Sequence, residues 1–413
     1  MAARLQWAAH DLRERLRRRL GEPSAPFTNP ASAAPTVGAS EAFEADIEAV
    51  AKTVLIEAGG QRAKAKHLLR KRLNGHGQGN RSLNGSEAAY WRQLGALSLL
   101  DSTQDALAAY ARAADLAPDD PQAQMLLGVL CLRTGRLEAA EAAFRRQMGL
   151  AKGKDDGEVV RYRAGTMLGD VLVAKGDEDE ALLAYDAAQR EASALAEKEP
   201  ENAAYQRDVS VTYDRIGELL SAKGQLDLAL ESYRRSLEIA EALAKRDPAN
   251  AGWQRDLSVG HDRIGDVLER MGDLDGALAA YRRGLALAET LARRDPERLE
   301  GCWDVSVSLD NIGDVLLAKG KAGEALAAYR QGLEIAEAVA GNDLARTGWQ
   351  RDLAVTLHKI GSLEALSGNE AEAREFLERG RAIIARLDRI ASFRAQWRAD
   401  LAKFDAALRT LGA

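Results

Sequence analysis

The sequence predicts an all-α chain built from antiparallel helix hairpins stacked one on the next. Three observations carry this. First, Gly169, Gly217, Gly265, Gly313 and Gly361 recur at a fixed step of 48 residues, and self-similarity at a fixed period marks an array in which each unit buries its apolar face on its neighbours. Second, each glycine is followed, always at the same two spacings, by an alanine and then by a large side chain. Gly169 is followed by Ala181 and Tyr185, Gly217 by Ala229 and Tyr233, Gly265 by Ala277 and Tyr281, Gly313 by Ala325 and Tyr329, and Gly361 by Ala373 and Leu377. That pattern describes a first helix, a short turn and a second helix packed on the small residue. Third, the chain is 46% hydrophobic but only 5% aromatic, and alanine and leucine dominate; these residues lose little on entering a helix.

Taken in order, residues 1–20 read as a basic amphipathic helix. Leu5, Leu12, Leu16 and Leu20 share one side, with Trp7 nearby, and six arginines crowd the rest. It suits either a membrane or partner surface or a solvated terminus. Residues 21–40, with Pro23, Pro26, Pro30 and Pro35 among Ser, Ala and Thr, read as a linker that buries little surface. Residues 41–85 read as a helical hairpin, an eroded repeat that could cap the N-terminal end. Its second helix, about 61–73, gathers Arg62, Lys64, Lys66, Arg70, Lys71 and Arg72, and no acid occurs between Glu57 and Glu87. Such a cluster can dock an acidic protein, a nucleic acid or an anionic membrane, or can simply be a solvated face. The glycine-rich stretch 74–80 lacks the Gly-Lys-Ser/Thr ending of a phosphate loop, so it reads as a connector.

Residues 86–391 read as seven hairpins, centred on Gly95, Gly128 and the five glycines above. A glycine in mid-helix costs roughly 1 kcal/mol against alanine, so its recurrence calls for a close helix approach. Lys223-Gly224, Met271-Gly272 and Lys319-Gly320 sit where a glycine cap ends the first helix. Asp247-Pro248 and Asp295-Pro296 end the second, because the residue before proline is pushed out of the helical region. Residues 392–413 repeat the start of a first helix without a partner. Phe393, Trp397, Leu401, Phe404, Leu408 and Leu411 stand at steps of three and four, which predicts a helix capping the stack.

The two shorter copies carry Trp91, Leu94, Gly95, Ala106, Tyr110 and Pro118, then Leu127, Gly128, Ala140 and Phe144. These residues resemble the tetratricopeptide repeat signature. The 48-residue copies are longer than the usual unit of about 34 residues and resemble the extended repeats of kinesin light chains and of many bacterial repeat proteins. The resemblance implies a right-handed superhelical solenoid whose concave groove binds a partner protein segment, with no single function attached.

The chemistry of the side chains points the same way. None of the five histidines has partners at zinc spacing, neither Cys131 nor Cys302 has a nearby base, and no nucleophile elbow occurs. The expectation is a non-catalytic scaffold or adaptor with no cofactor and no metal. Two isolated cysteines and the lack of a secretory signal suggest a cytoplasmic setting. An adaptor docking through the basic N-terminal region, or the sensing subunit of a system whose enzyme is another chain, are the alternatives. Oligomeric state is left open. Charge is uneven: residues 1–90 carry 14 Lys+Arg against 9 Asp+Glu, and the remainder 43 against 54. Within the acidic body Asp214 and Glu218, Asp262 and Asp266, and Asp310 and Asp314 recur as pairs four residues apart, hence on one helix face. The resemblance places these positions toward the groove, where they would select a basic or polar partner. The bland alternative is a solvated face partly neutralised by Arg207 and Arg255.

Because the linker buries little, limited proteolysis of the full chain is expected to cut first within residues 21–40. A first cut within 160–380 would show that the boundary is misplaced.

Overall fold

A computed structural model describes residues 62–75, 81–99, 102–153, 157–296, 298–342, 347–390 and 395–411. The expected helix 1–20, the linker 21–40 and the first helix of the 41–85 hairpin lie outside the described residues. Those described form sixteen α-helices and no strand. The chain falls into two compact units that divide between Ile216 and Gly217.

The first unit runs from α1 (Arg62–Gly75) through the hairpins α2/α3 (Arg81–Ser98, Thr103–Leu116), α4/α5 (Pro121–Arg133, Leu137–Leu150) and α6/α7 (Gly157–Lys175, Glu178–Lys198). Helix α8 (Ala203–Ala222) spans the division. The second unit continues with α9 (Leu226–Arg246), the hairpins α10/α11 (Ala251–Arg270, Leu274–Arg294), α12/α13 (Leu299–Ala318, Ala322–Asn342) and α14/α15 (Thr347–Leu366, Glu370–Ile390), and the single helix α16 (Ala395–Thr410). Helices in the 48-residue copies are 19 to 21 residues long.

Local chemistry starts and stops these helices. Ser102, Asp120, Asn250 and Asp273 accept a backbone N–H of the first turn of α3, α4, α10 and α11. Gly224, Gly272 and Gly320 take positive φ of 74°, 83° and 75°. There the chain closes back on the helix, as where the Asp273 N–H donates to the Leu268 carbonyl at 2.9 Å.

Each recurring mid-helix glycine is the floor on which the second helix rests its aromatic ring. A Cβ placed on Gly265 would lie 2.6 Å from Tyr281 Cε1, and one on Gly313 would lie 2.4 Å from Tyr329 Cε1. Gly95 meets Tyr110, Gly128 meets Phe144, Gly169 meets Tyr185 and Gly217 meets Tyr233 in the same way. The recurring alanines of the second helices (Ala181, Ala229, Ala277, Ala325, Ala373) are all fully buried. In the last copy Leu377 fills the space over Gly361. Helix α16 buries Trp397 and Phe404 against Ala354, Leu377, Ile384 and Leu387, with the Phe404 ring over Gly380, and exposes Arg398, Ala402, Lys403 and Arg409.

Gly313→Ala is expected to destabilise the second unit by about 1–3 kcal/mol, since overpacking outweighs the roughly 1 kcal/mol of helix propensity gained. Gly323→Ala, which meets nothing within 4 Å, should stabilise by up to about 1 kcal/mol. Urea unfolding of the two variants checks the contrast.

Candidate interaction face

The first helices of successive repeats are joined by a polar ladder that the 48-residue period lays out. One column stands immediately after the glycine. Asp170 accepts the Tyr185 hydroxyl at 2.7 Å, Asp266 that of Tyr281 at 2.7 Å, and Asp314 that of Tyr329 at 2.6 Å. A second column, two residues before the glycine, sends a cation back to the preceding repeat. Arg215 lies 3.4 Å from Asp170, Arg263 bonds Glu218 at 3.1 Å, and Lys359 bonds Asp314 at 2.7 Å and Asp310 at 3.2 Å. A third, three residues before the glycine, accepts a hydroxyl from the next repeat: Ser308 donates to Asp262 and Thr356 to Asp310, each at 2.9 Å.

These contacts place the six expected acids. Asp214, Glu218, Asp262, Asp266, Asp310 and Asp314 are all half-buried rather than solvated. Asp214 lies in the first unit, next in sequence to Arg215; the other five lie in the second. Arg255 does not neutralise Asp262, as the bland reading had it. It reaches across to Asp304 on the next first helix, at 2.5 Å and 2.9 Å.

That pair belongs to a further ladder that sequence reading passed over. Asp208, Asp256, Asp304, Asp352 and Asp400 stand nine residues before successive glycine positions of the repeat. Arg351 pairs with Asp400 at 2.7 Å as Arg255 does with Asp304, and in the first unit the Tyr162 hydroxyl donates to Asp208. The signal was present as the recurring Gln-Arg-Asp triplet at 206–208, 254–256 and 350–352. In the third copy Trp303 replaces the arginine, is buried, and stacks on Trp349 with centroids 5.1 Å apart.

Burial without full compensation marks the electrostatics. It pushes the Asp266 carboxyl up to about 7, an effect opposed by the Tyr281 hydrogen bond and increased by Glu269. Burial likewise raises Asp352 to about 7, with Arg351 and Lys359 pulling it down and Asp310 and Asp400 pushing it up. Asp262 is held well above the carboxylate range by burial, and Asp310 above it by burial partly offset by Lys359. Burial works against the charge on Lys359, but Asp310 and Asp314 outweigh it and hold its ammonium up.

The basic cluster sits on α1. Lys64, Arg70 and Lys71 are exposed and Lys66 is half-buried, opposite the buried Ala65 and Leu69. The side chains of Arg62 and Arg72 lie outside the described residues. His261 and His358 are half-buried, and burial lowers both imidazoles. Among the described residues no three His, Cys, Asp or Glu side chains converge in a way that could hold a metal ion, and no helix is long and apolar enough to cross a membrane.

An array of paired helices locked by a small residue under an aromatic ring defines a helical-hairpin repeat protein. Residues 99–149, 211–243, 261–291 and 305–343 match tetratricopeptide repeat models, and the chain carries tetratricopeptide repeats over those segments. As such an array it is a protein-interaction scaffold in the general sense, and repeats of this type are in general non-catalytic. Among solved structures, it is similar to BtubC (BKLC) from P. vanneervenii at 18% identity, covering 58% of this chain and 93% of that one, with a TM-score of 0.47. A signal-transduction ATPase with a tetratricopeptide repeat sensor from Pyrococcus horikoshii matches at 13% identity over 84% of this chain and 48% of its own, with a TM-score of 0.49. A Rap protein complexed with Competence and Sporulation Factor matches at 14% identity over 90% and 99%, with a TM-score of 0.44. No curated protein matches the chain.

The raised carboxyls fix a pH dependence. Asp266 ionises near 4 when unfolded and near 7 when folded, so between those values the folded state holds a proton that the unfolded chain has lost. Stability is therefore greatest below about pH 4 as far as this group is concerned, and falls as pH rises through 7. The unfolding midpoint is expected to be higher at pH 5 than at pH 8, and Asp266→Asn should raise the pH 8 value by a few degrees while narrowing that gap. Calorimetry at the two pH values measures both.

Proposed function

We propose that the chain holds a basic segment of a partner protein along the first-helix face of residues 217–411. The observation that supports this most is α12. It carries Glu300, Asp304, Asp310 and Asp314 and no lysine or arginine, while the helices on either side supply its ladder cations, Arg255 and Lys359. A face with acid in excess and carboxylates held half-buried attracts positive ligands, because flanking protein lowers the screening that water provides. Single exposed ion pairs contribute only about 0–1 kcal/mol, so affinity comes from several carboxylates acting together with apolar contacts. Glu218, Asp262, Asp266, Asp310 and Asp314 are the carboxylates of this reading, whereas Asp214 belongs to the first unit and lies outside it. These carboxylates also hold the repeats together, so wholesale neutralisation would disturb the fold.

A second docking face is proposed at α1, whose exposed Lys64, Arg70 and Lys71 suit an acidic protein segment. The same charge would also take a nucleic acid or an anionic membrane, and salt-sensitive binding of oligonucleotides or vesicles distinguishes these.

An array of synthetic peptides of varied net charge, probed with the labelled full-length chain, tests the main reading. Bound peptides are expected to be rich in lysine and arginine, with affinity falling severalfold between roughly 0.05 and 0.5 M salt as the Debye length shrinks. Preference for acidic or purely apolar peptides, with no salt dependence, would overturn it.

A further inference from the structure

Between Arg263 and Lys359 the cation column is interrupted, on α12. In the repeat before it, Arg263 bonds Glu218 with its guanidinium 6.0 Å from the centre of the Tyr233 ring. In the repeat after it, Lys359 bonds Asp314 with its ammonium 5.3 Å from the centre of the Tyr329 ring. Between them the position belongs to Asn311. An amide there leaves Asp266 without the charge its equivalents receive and leaves Tyr281 without a cation from that position. The Asn311 Nδ2 is itself buried with no hydrogen-bond acceptor.

Acid is added where the cation is missing. Glu269 stands in a column otherwise held by Val173, Ser221, Leu317 and Ala365. Its carboxylate accepts the Tyr281 hydroxyl at 3.1 Å while Asp266 accepts the same hydroxyl at 2.7 Å. Two carboxylates thus share one phenolic proton. The neighbouring cations bond other groups: Arg263 bonds Glu218, Lys359 bonds Asp310 and Asp314, and Arg270 bonds the Ser221 hydroxyl. From there Arg263 and Arg270 offset the burial of Asp266, and Lys359 that of Glu269, only in part.

Resting on the first-helix reading above, we infer that the half-buried Asp266 and Glu269 carboxylates beside Asn311 receive an arginine side chain of the bound segment. The partner then completes the column that α12 interrupts. A guanidinium suits the place better than an ammonium: its planar fork can bond two carboxylates at once.

The test uses the full-length chain and fluorescein-labelled short peptides of alternating glycine with arginine, lysine or glutamate, read by fluorescence anisotropy. Asn311→Arg restores the column from within. It is expected to raise the thermal midpoint and to weaken the arginine peptide by about tenfold or more, the scale of a charge-assisted contact. Gly323→Ala, outside the place and meeting nothing within 4 Å, should leave affinity within about twofold. The lysine peptide should bind the unaltered chain more weakly than the arginine peptide. Should Asn311→Arg fail to fold, Glu269→Gln removes one wall of the place and should weaken the arginine peptide severalfold. Equal, salt-sensitive binding of the arginine peptide to the unaltered chain and to these variants would overturn the arginine place while leaving the first-helix reading standing. No preference for the arginine over the glutamate peptide would overturn both.

Discussion

A tyrosine ring lying flat on a glycine is the contact on which each hairpin depends. The first helix must give up a side chain there, and with it about 1 kcal/mol of helix propensity. In return the second helix approaches closely enough for a large ring to be almost wholly buried: Tyr281 and Tyr329 are 1% and 0% exposed. Fully burying an aromatic side chain contributes about 1.5–3 kcal/mol, so the exchange favours the pair. The fully buried alanine one helical turn before each ring is the other half of the same close approach. Where the ring is replaced, as by Leu377 over Gly361, a branched aliphatic side chain fills the space, and the hairpin persists.

The ring also carries a hydroxyl that must be satisfied once the ring is buried. In Tyr185, Tyr281 and Tyr329 it donates to the carboxylate beside the glycine, and at Asp170 and Asp314 that carboxylate is then the anchor for a cation from the next repeat. One local constraint thereby generates the polar ladder between first helices, with Tyr329, Asp314 and Lys359 as its complete form. Such a network is costly when a member is missing, because a half-buried carboxylate keeps its desolvation penalty without its counter-charge. At Asp266 and Asp352 that cost appears as carboxyls shifted to about 7.

Both shortfalls trace to α12. Asn311 breaks one cation column and Trp303 breaks the other. Sequences that specify a fold tend to agree with themselves at every level, and local violations concentrate where function is served. An acid-only helix in the middle of an otherwise balanced ladder is such a violation, and it gives the first-helix face its distinct chemistry.

The sequence by itself determined the hairpins. The constant step between glycines, the alanine and the large side chain that follow each of them in fixed register, and the glycine caps at 224, 272 and 320 are all local or strictly periodic signals, and the helices begin and end where those signals fall. The aspartate pairs were legible too, as residues four apart on one face, but not their circumstances. Local spacing suggested that Arg255 would serve Asp262, seven residues away; it serves Asp304, 49 residues away. Which carboxylate a cation meets depends on how adjacent first helices are offset, and that offset is set by side-chain packing between repeats, which only the tertiary structure decides. The same holds for Asn311: in the sequence it is one polar residue on a helix, and only beside Arg263 and Lys359 in their folded positions does it become a missing charge.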